Sequence, residues 1–588
     1  SIKNRNKTQV ELIANSAIKS LAGAIENDEN SSQLIPDTGK QINVSKMKCS
    51  VPYGTVSNIK INRKKENLII ASLKANYHDE DYTIYAYLTQ SNNQWKCVQY
   101  DTNGNRDIST DSSSSGNDSG NNGSTDNNTG NNNGEDSGNT NSNKDAISLV
   151  KYKIAALLNA YYQKDKDINN GWYRYNEIAD TLINYVKENG FTHIEIMPLC
   201  EHPVDCSWGY QNTGFFSPTS RYGTNRDLKE LIDKCHRANV GVILDFVPVH
   251  FAVDDYGLAK FDGTELYEYP HRDVGASEWG TCNFIHSRGE VCSFLQSSAN
   301  YWLKEYHFDG LRMDAISRAI YWQGNPARGV NSCAINFIRN MNDGLHKLHP
   351  TAMIIAEDST AYPKVTAPVE YNGLGFDYKW DLGWMNDTLE YFKIPPKERP
   401  NHYYKLTFSM EYFYNELFLL PFSHDEVVHG KATIIQKMWG DYDDKFKQCR
   451  ALYMYMYTHP GKKLNFMGNE IAQFREWDEK REQDWQLIKM PLHDAFNKYI
   501  KRLNEVYDNY EALYENEYDS SYFKWLEVNA PEKSVYIYER GRDDHRIIVA
   551  LNFSDNEYAP FTFKVEEELR LREIVNSDSD IYGGSTWG

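Results

Sequence analysis

Three short apolar runs in this chain each stop on an acidic residue, and that pattern narrows the folds open to it. The runs are Phe308-Asp-Gly-Leu-Arg-Met-Asp314, Met353-Ile-Ile-Ala-Glu357 and Leu420-Pro-Phe-Ser-His-Asp425. A brief apolar run bounded by polar residues reads as a strand buried on both faces, as in a parallel sheet. An acid at its C-terminal end then stands at the rim where parallel barrels keep their chemistry. One such acid is most often a helix cap or a solvated loop end. Three in succession, with Arg312 and His424 beside them, point to a site instead. Separate carboxyl groups on rigid supports are what the chemistry of a glycosidic bond needs.

The neighbouring sequence continues an alternation of strand and helix. Phe191–Leu199 and Val240–Val247 are apolar strand runs, and Asp227–Ala238 between them has the helical period through Leu228, Leu231, Ile232 and Cys235. Val291–Tyr306 predicts a helix with Phe294, Leu295, Ala299, Trp302 and Leu303 on one side, leading into the strand that ends at Asp314. Further strands are expected to end near Glu357 and Asp381, at Asp425 and at Glu470. This order predicts the α/β class, with a (β/α)8 TIM-type barrel over 144–515. After Tyr518 the helical period stops, and Ser534–Glu539, Arg546–Asn552 and Ala559–Val565 alternate like strands of a C-terminal antiparallel β-sandwich over 516–588. Residues 109–143 are almost wholly Ser, Asn, Gly, Asp and Thr, a composition too polar to offset chain entropy, so a disordered linker is expected there. It sets off a small N-terminal α+β unit over 1–108. That unit has a helical period across Gln9–Ala24 (Val10, Leu12, Ile13, Ala17, Ile18, Leu21) and strand runs at Asn67–Leu73, Tyr82–Leu88 and Trp95–Tyr100. A helix before a small sheet is similar to the soluble part of a pilin-like protein.

A net charge of −19 argues against nucleic acid as a partner and suits a neutral polymer. The 42 Tyr and 13 Trp supply flat faces for sugar rings, although core packing accounts for most of them. Nine scattered Cys form neither a metal spacing nor a disulfide framework, which fits a reducing compartment; Cys49 and Cys97 are the one local pair to consider. No apolar run approaches the ~20 residues of a membrane span. The start at Ser1 reads as a processed product or a fragment, so a cytoplasmic location is expected with an upstream export signal left open.

Longer motifs carry a resemblance. They include Glu201-His-Pro, Ser207-Trp-Gly-Tyr-Gln211, Phe215-Phe-Ser-Pro-Thr-Ser-Arg-Tyr-Gly223 and Ile243-Leu-Asp-Phe-Val-Pro-Val-His-Phe251. They continue in Gly310-Leu-Arg-Met-Asp-Ala315, Ala356-Glu-Asp-Ser359, Leu420 to Lys431, Asn465-Phe-Met-Gly-Asn-Glu470 and Asn576-Ser-Asp. Residues 171–587 resemble the α-amylase superfamily, and within it the 1,4-α-glucan (glycogen) branching enzymes. The resemblance implies Asp314 as nucleophile, Glu357 as general acid and then base, and Asp425 as the acid that holds the sugar hydroxyls. Substrate-binding roles fall to Tyr210, Asp245, His250, Arg312 and His424, with Arg312 expected to keep Asp314 ionised at neutral pH. His202, His286 and His429 are expected to be scaffold; Trp208, Trp279, Trp380 and Trp477 either line a glucan groove or pack. The implied partner is an α-glucan such as glycogen or amylose, with no cofactor and no metal, and nothing fixes the oligomeric state.

Two family features are missing: a β-sandwich module just before the barrel, and a first barrel strand with a Tyr-Glu-x-His-like signature. Leu149–Leu158 reads either as a helix or as a substitute strand, leaving the ring closed or gapped. Besides branching, the sequence is compatible with an α-glucan hydrolase on the same site, or with an inactive, chimeric or truncated glucan-binding protein.

Overall fold

The structure is a computed structural model that describes residues 172–565 and 570–586 and the backbone of 154–157. In the N-terminal part it describes 35–43, 55–77, 80–91, 94–102 and 104, with helical positions 14, 17, 18, 21, 22 and 25. The chain divides into two units, Ser1–Ser137 and Gly138–Gly588. The expected linker, 109–143, lies outside the described residues, as do Cys49 and the helix positions Val10, Leu12 and Ile13.

The first unit holds an antiparallel sheet in sequence order: Gln41–Asn43, Thr55–Lys65, Leu68–Tyr77, Glu80–Ser91 and Gln94–Asp101. Three of these contain the expected runs. Thr55–Lys65 escaped the sequence reading because Asn, Lys and Arg fill its outward positions. Ala14, Ala17, Ile18, Leu21, Ala22 and Ile25 recur at helical spacing and form one core with Ile61, Ile69, Leu73 and Leu88 of the sheet.

In the second unit eight parallel strands close a ring. In chain order they are Ile154–Leu157, His193–Ile196, Gly241–Phe246, Gly310–Met313, Met353–Ala356, Tyr378–Trp380, Phe418–Phe422 and Lys462–Phe466. The alternatives left open at 149–158 resolve here. Ile154–Leu157 is the first strand, paired with His193–Glu195 on one side and Lys463–Phe466 on the other, so the ring has no free edge. The intervening helices cover the outer face, which is why the strands read as near-continuous apolar runs. Asn225–Arg237 shows how sequence sets them. Thr224 and Asp227 cap each other at its start, and Leu228, Leu231, Ile232 and Cys235 turn inward. Gly289–Tyr306 ends on His307, whose left-handed backbone (φ 60°) releases the chain into the fourth strand.

The C-terminal part differs in detail from the expectation. Its antiparallel sheet has three strands among the described residues, Phe523–Glu527, Val535–Arg542 and His545–Asn552. Ala559–Val565 is not one of them; Pro560 lacks an N–H to donate and the segment stays unpaired. Phe523 enters instead because its ring stacks on Tyr538 at 5.1 Å. The sheet shares its core with the barrel: Thr458 Oγ1 lies 2.6 Å from Tyr538 Oη, and buried Arg399 donates to the Phe553 carbonyl at 2.8 Å.

Candidate active site

Register decides which side chains enter the barrel. Asp245 pairs with Arg312, and Arg312 with Ile355, so all three share the inward parity; Glu357, two residues beyond Ile355, shares it too. The fourth strand approaches its neighbour closely at Gly310, where a Cβ would lie 2.5 Å from the Met353 carbonyl oxygen. Ladder bonds run past the strand ends, from Asp314 N to Phe246 O (2.9 Å) and from Glu357 N to Met313 O (3.0 Å). These fix the backbones of both acids. Ala315 follows with φ 47° and ψ 39°, a conformation that costs a non-glycine residue free energy. There its N–H donates to Glu357 Oε2 at 2.7 Å.

Arg312 is the hub. Its Nη1 donates to Asp245 Oδ1 and Oδ2 at 2.7 and 2.8 Å and to Asp314 Oδ1 at 2.7 Å. Its Nη2 lies 3.4 Å from Glu357 Oε2, and its guanidinium carbon 4.3 Å from the centroid of the buried Trp380 ring. Tyr210 donates to Asp245 Oδ2 at 2.6 Å and stacks on His424 with centroids 5.6 Å apart. His424 Nε2 is 3.4 Å from Asp425 Oδ1, and His250 Nε2 is 4.0 Å from Asp314 Oδ2. The structure thus gathers all eight expected site residues around one end of the barrel.

Burial pushes Asp314 up to about 7, and the opposing pull of Arg312 only partly offsets it. Arg312 therefore lowers the proton affinity of Asp314 without holding it in the usual carboxylate range. Burial likewise raises Glu357 to about 7 and Asp245 to about 6, each against Arg312. Arg312 donates to Asp314 at 2.7 Å and lies 3.4 Å from Glu357, so its charge favours the ionised form more at Asp314 than at Glu357. At Asp425 burial is outweighed by His424 and Arg312, and its carboxyl is held low. Burial depresses both His250 and His424 to about 4, leaving neutral rings at pH 7.

Other expected residues separate by burial. Trp380 and Trp477 are packed away, Trp208 stacks on His429 at 5.1 Å, and Trp279 stays 44 % exposed at the rim. His202 Nδ1 meets the Cys200 carbonyl at 2.8 Å, and His286 Nε2 the Pro248 carbonyl at 3.2 Å. Sequence reasoning missed Glu195, a fully buried acid on the second strand with neither oxygen hydrogen-bonded. An acid inside the apolar run Phe191–Leu199 was the available signal. It also missed the buried pair of Lys379 Nζ and Asp358 Oδ2, 2.8 Å apart behind Glu357. Among the described residues no cluster of three or more His, Cys, Asp or Glu could hold a metal ion, and no helix is long and apolar enough to cross a membrane.

Comparison with known proteins agrees with this geometry. The family models for the α-amylase catalytic domain and for the α-amylase C-terminal all-β domain match residues 168–263 and 525–588. Over 417 residues the sequence is 47 % identical to the 1,4-α-glucan branching enzyme GlgB of Bacillus caldolyticus, covering 70 % of this chain and 63 % of that one. The chain belongs to the α-amylase family. Within the α-amylase family it groups with branching enzymes: the GlgB proteins of Geobacillus stearothermophilus and Bacillus subtilis (strain 168) are each 46 % identical, over 71 % and 70 % of this chain and 66 % of theirs. The chain therefore spans a little under two thirds of the length of these relatives. Among solved α-amylase folds, the α-amylase of Geobacillus thermoleovorans complexed with acarbose aligns with TM-score 0.53 at 18 % identity, over 69 % of this chain and 88 % of that one. A Nostoc punctiforme debranching enzyme aligns at 0.54 and 15 %, over 70 % of this chain and 90 % of that one. Both likenesses concern the fold.

Proposed function

We propose that the chain is a 1,4-α-glucan branching enzyme, which cleaves an α-1,4 linkage and rejoins the released segment through a C6 hydroxyl as an α-1,6 branch. The observation that carries this reading is the convergence of Asp245, Asp314 and Glu357 on Arg312 beside His250, His424 and Asp425. Asp314, the ionised member, attacks the anomeric carbon and forms a glycosyl ester. Glu357, the protonated member, delivers its proton to the departing O4, then takes one from the incoming O6. Asp425, His250 and His424 receive the hydroxyls of the reacting ring, with Tyr210 as its platform. The kinship with GlgB proteins supports an α-glucan such as glycogen or amylose as substrate.

Among the described residues the cysteines of the second unit, Cys200, Cys206, Cys235, Cys282, Cys292, Cys333 and Cys449, are free thiols, which supports a cytoplasmic setting. The domain limits proposed from the sequence are 1–108, 109–143, 144–515 and 516–588, and the separate core of the N-terminal sheet and helix supports the first.

The test is incubation with linear amylose, followed by debranching analysis and reducing-end counts. Branch points without a matching rise in reducing ends are expected. Reducing ends alone would make the chain a hydrolase, and no change in amylose would leave it a binding protein.

A further inference from the structure

Trp279 stands apart from the other tryptophans near the site. The residue is 44 % exposed, although its ring centroid lies 5.0 Å from that of His250, the neighbour of Asp314. The exposure is not looseness. Its backbone N–H donates to Ser277 Oγ at 3.1 Å, its backbone carbonyl accepts from Gln211 Nε2 at 3.3 Å, and the Arg318 guanidinium lies 4.9 Å from the ring centroid. Arg318 is anchored in turn, by the Gln323 carbonyl at 2.6 Å and an ion pair with Glu278. A partly exposed ring on a fixed backbone, held against Arg318 and His250, loses little further entropy when a second flat surface stacks on it.

The anchoring also assigns a side. Arg318 belongs to the helix Ile316–Ile320, which starts against Glu357: Ala315 N donates to Glu357 Oε2 at 2.7 Å and Ile316 N to the Glu357 carbonyl at 3.0 Å. Glu357 serves the departing and incoming oxygens, so the ring is carried from the acceptor side of the nucleophile.

We propose that Trp279 is the stacking platform for the incoming α-glucan chain and favours a sugar hydroxyl over water in the second step. This rests on the branching reading above. In that step the bond between C1 and the Asp314 oxygen breaks, and its electron pair returns to the carboxylate. The acceptor O6 bonds to C1, and its proton passes to the Glu357 carboxylate. Water can replace O6 with the same balance and leaves a reducing end. Water is present at ~55 M, so the sugar wins only if it is held in place. Trp279 supplies that hold to the sugar and none to water.

The experiment measures branch points and reducing ends from amylose with the full chain, for the parent, Trp279→Ala and Trp279→Phe. Trp279→Ala is expected to lower the ratio of branch points to reducing ends about 10-fold, the size of one aromatic stacking contact, whatever happens to the first step that both products share. Trp279→Phe should recover most of the loss. Should Trp279→Ala fail to fold, Trp279→Leu, which keeps bulk without a flat ring, takes its place. Equal losses in branching and hydrolysis, or no change in either, would overturn the proposal. A parent that makes no branch points would sink the branching reading itself, a result separate from any behaviour of Trp279.

Discussion

Arg312 donates at 2.7 Å to Asp314, which lies two residues further on and just past the end of the strand that carries Arg312. The same nitrogen serves Asp245, and both side chains of that second pair are buried. Removing the cation therefore does two things.

Arg312→Ala should raise the proton affinity of Asp314 further, because the one group that lowers it strongly is gone. The acidic limb of the pH–rate profile moves to higher pH. Loss of a partner from a buried pair also lowers stability, by about 3–5 kcal/mol. An unmoved acidic limb in a folded variant would count against this account of Asp314.

Asp314→Ala should abolish transfer with a smaller loss of stability than Arg312→Ala, since the cation left behind keeps both of its bonds to Asp245. Thermal unfolding and a branching assay check the two halves. A variant that still makes branches at the parental rate would remove Asp314 from the nucleophile's place.

Activity should follow a narrow bell centred near neutrality. Asp314 must be ionised and is raised by burial to about 7, so activity falls as pH drops through that value. Glu357 must be protonated and is likewise raised to about 7, so activity falls as pH climbs past it. Their mutual repulsion spreads the two steps apart, and the limbs belong to the pair. A flat kcat/KM from about pH 5 to about pH 9 would contradict this arrangement.

Glu195 predicts a different pH effect, on stability. Burial raises its carboxyl from 4.5 to about 8. Between those values the native chain holds a proton that the unfolded chain has lost, so this residue erodes stability as pH rises through the window. Glu195→Gln removes the erosion. Its stability relative to the parent should be greater at about pH 8 than at about pH 4 by on the order of 2–4 kcal/mol, read from denaturant unfolding. An equal difference at both pH values would show that Glu195 does not titrate there.

The barrel and the acids of the site were legible because each is local: an apolar run, a turn, an acid. Asp314, Glu357 and Asp425 announce themselves within a few residues of their strands. What stayed hidden depends on distant partners. Ile154–Leu157 is four residues of Ile, Ala and Leu, which no periodicity separates from a helix turn, and only its pairing with Lys463–Phe466 makes it a strand. The high proton affinity of Asp314 comes from burial, which composition does not reveal. Glu195 sits within a strand read correctly, yet its isolation depends on what faces it across the barrel. Phe523–Glu527 alternates too briefly to be picked out, and its place depends on Tyr538.

The ring of strands is sealed by two segments about 300 residues apart in sequence, the kind of long-range pairing that slows folding. During synthesis Ile154–Leu157 leaves the ribosome long before Lys462–Phe466 exists. Its neighbour at His193–Ile196 is available early, while its other edge waits until the last strand arrives. A nascent chain halted after Asp425 would carry every acid of the site and still lack the final stave, so the closed ring that holds those acids in place arrives late in the life of each new molecule.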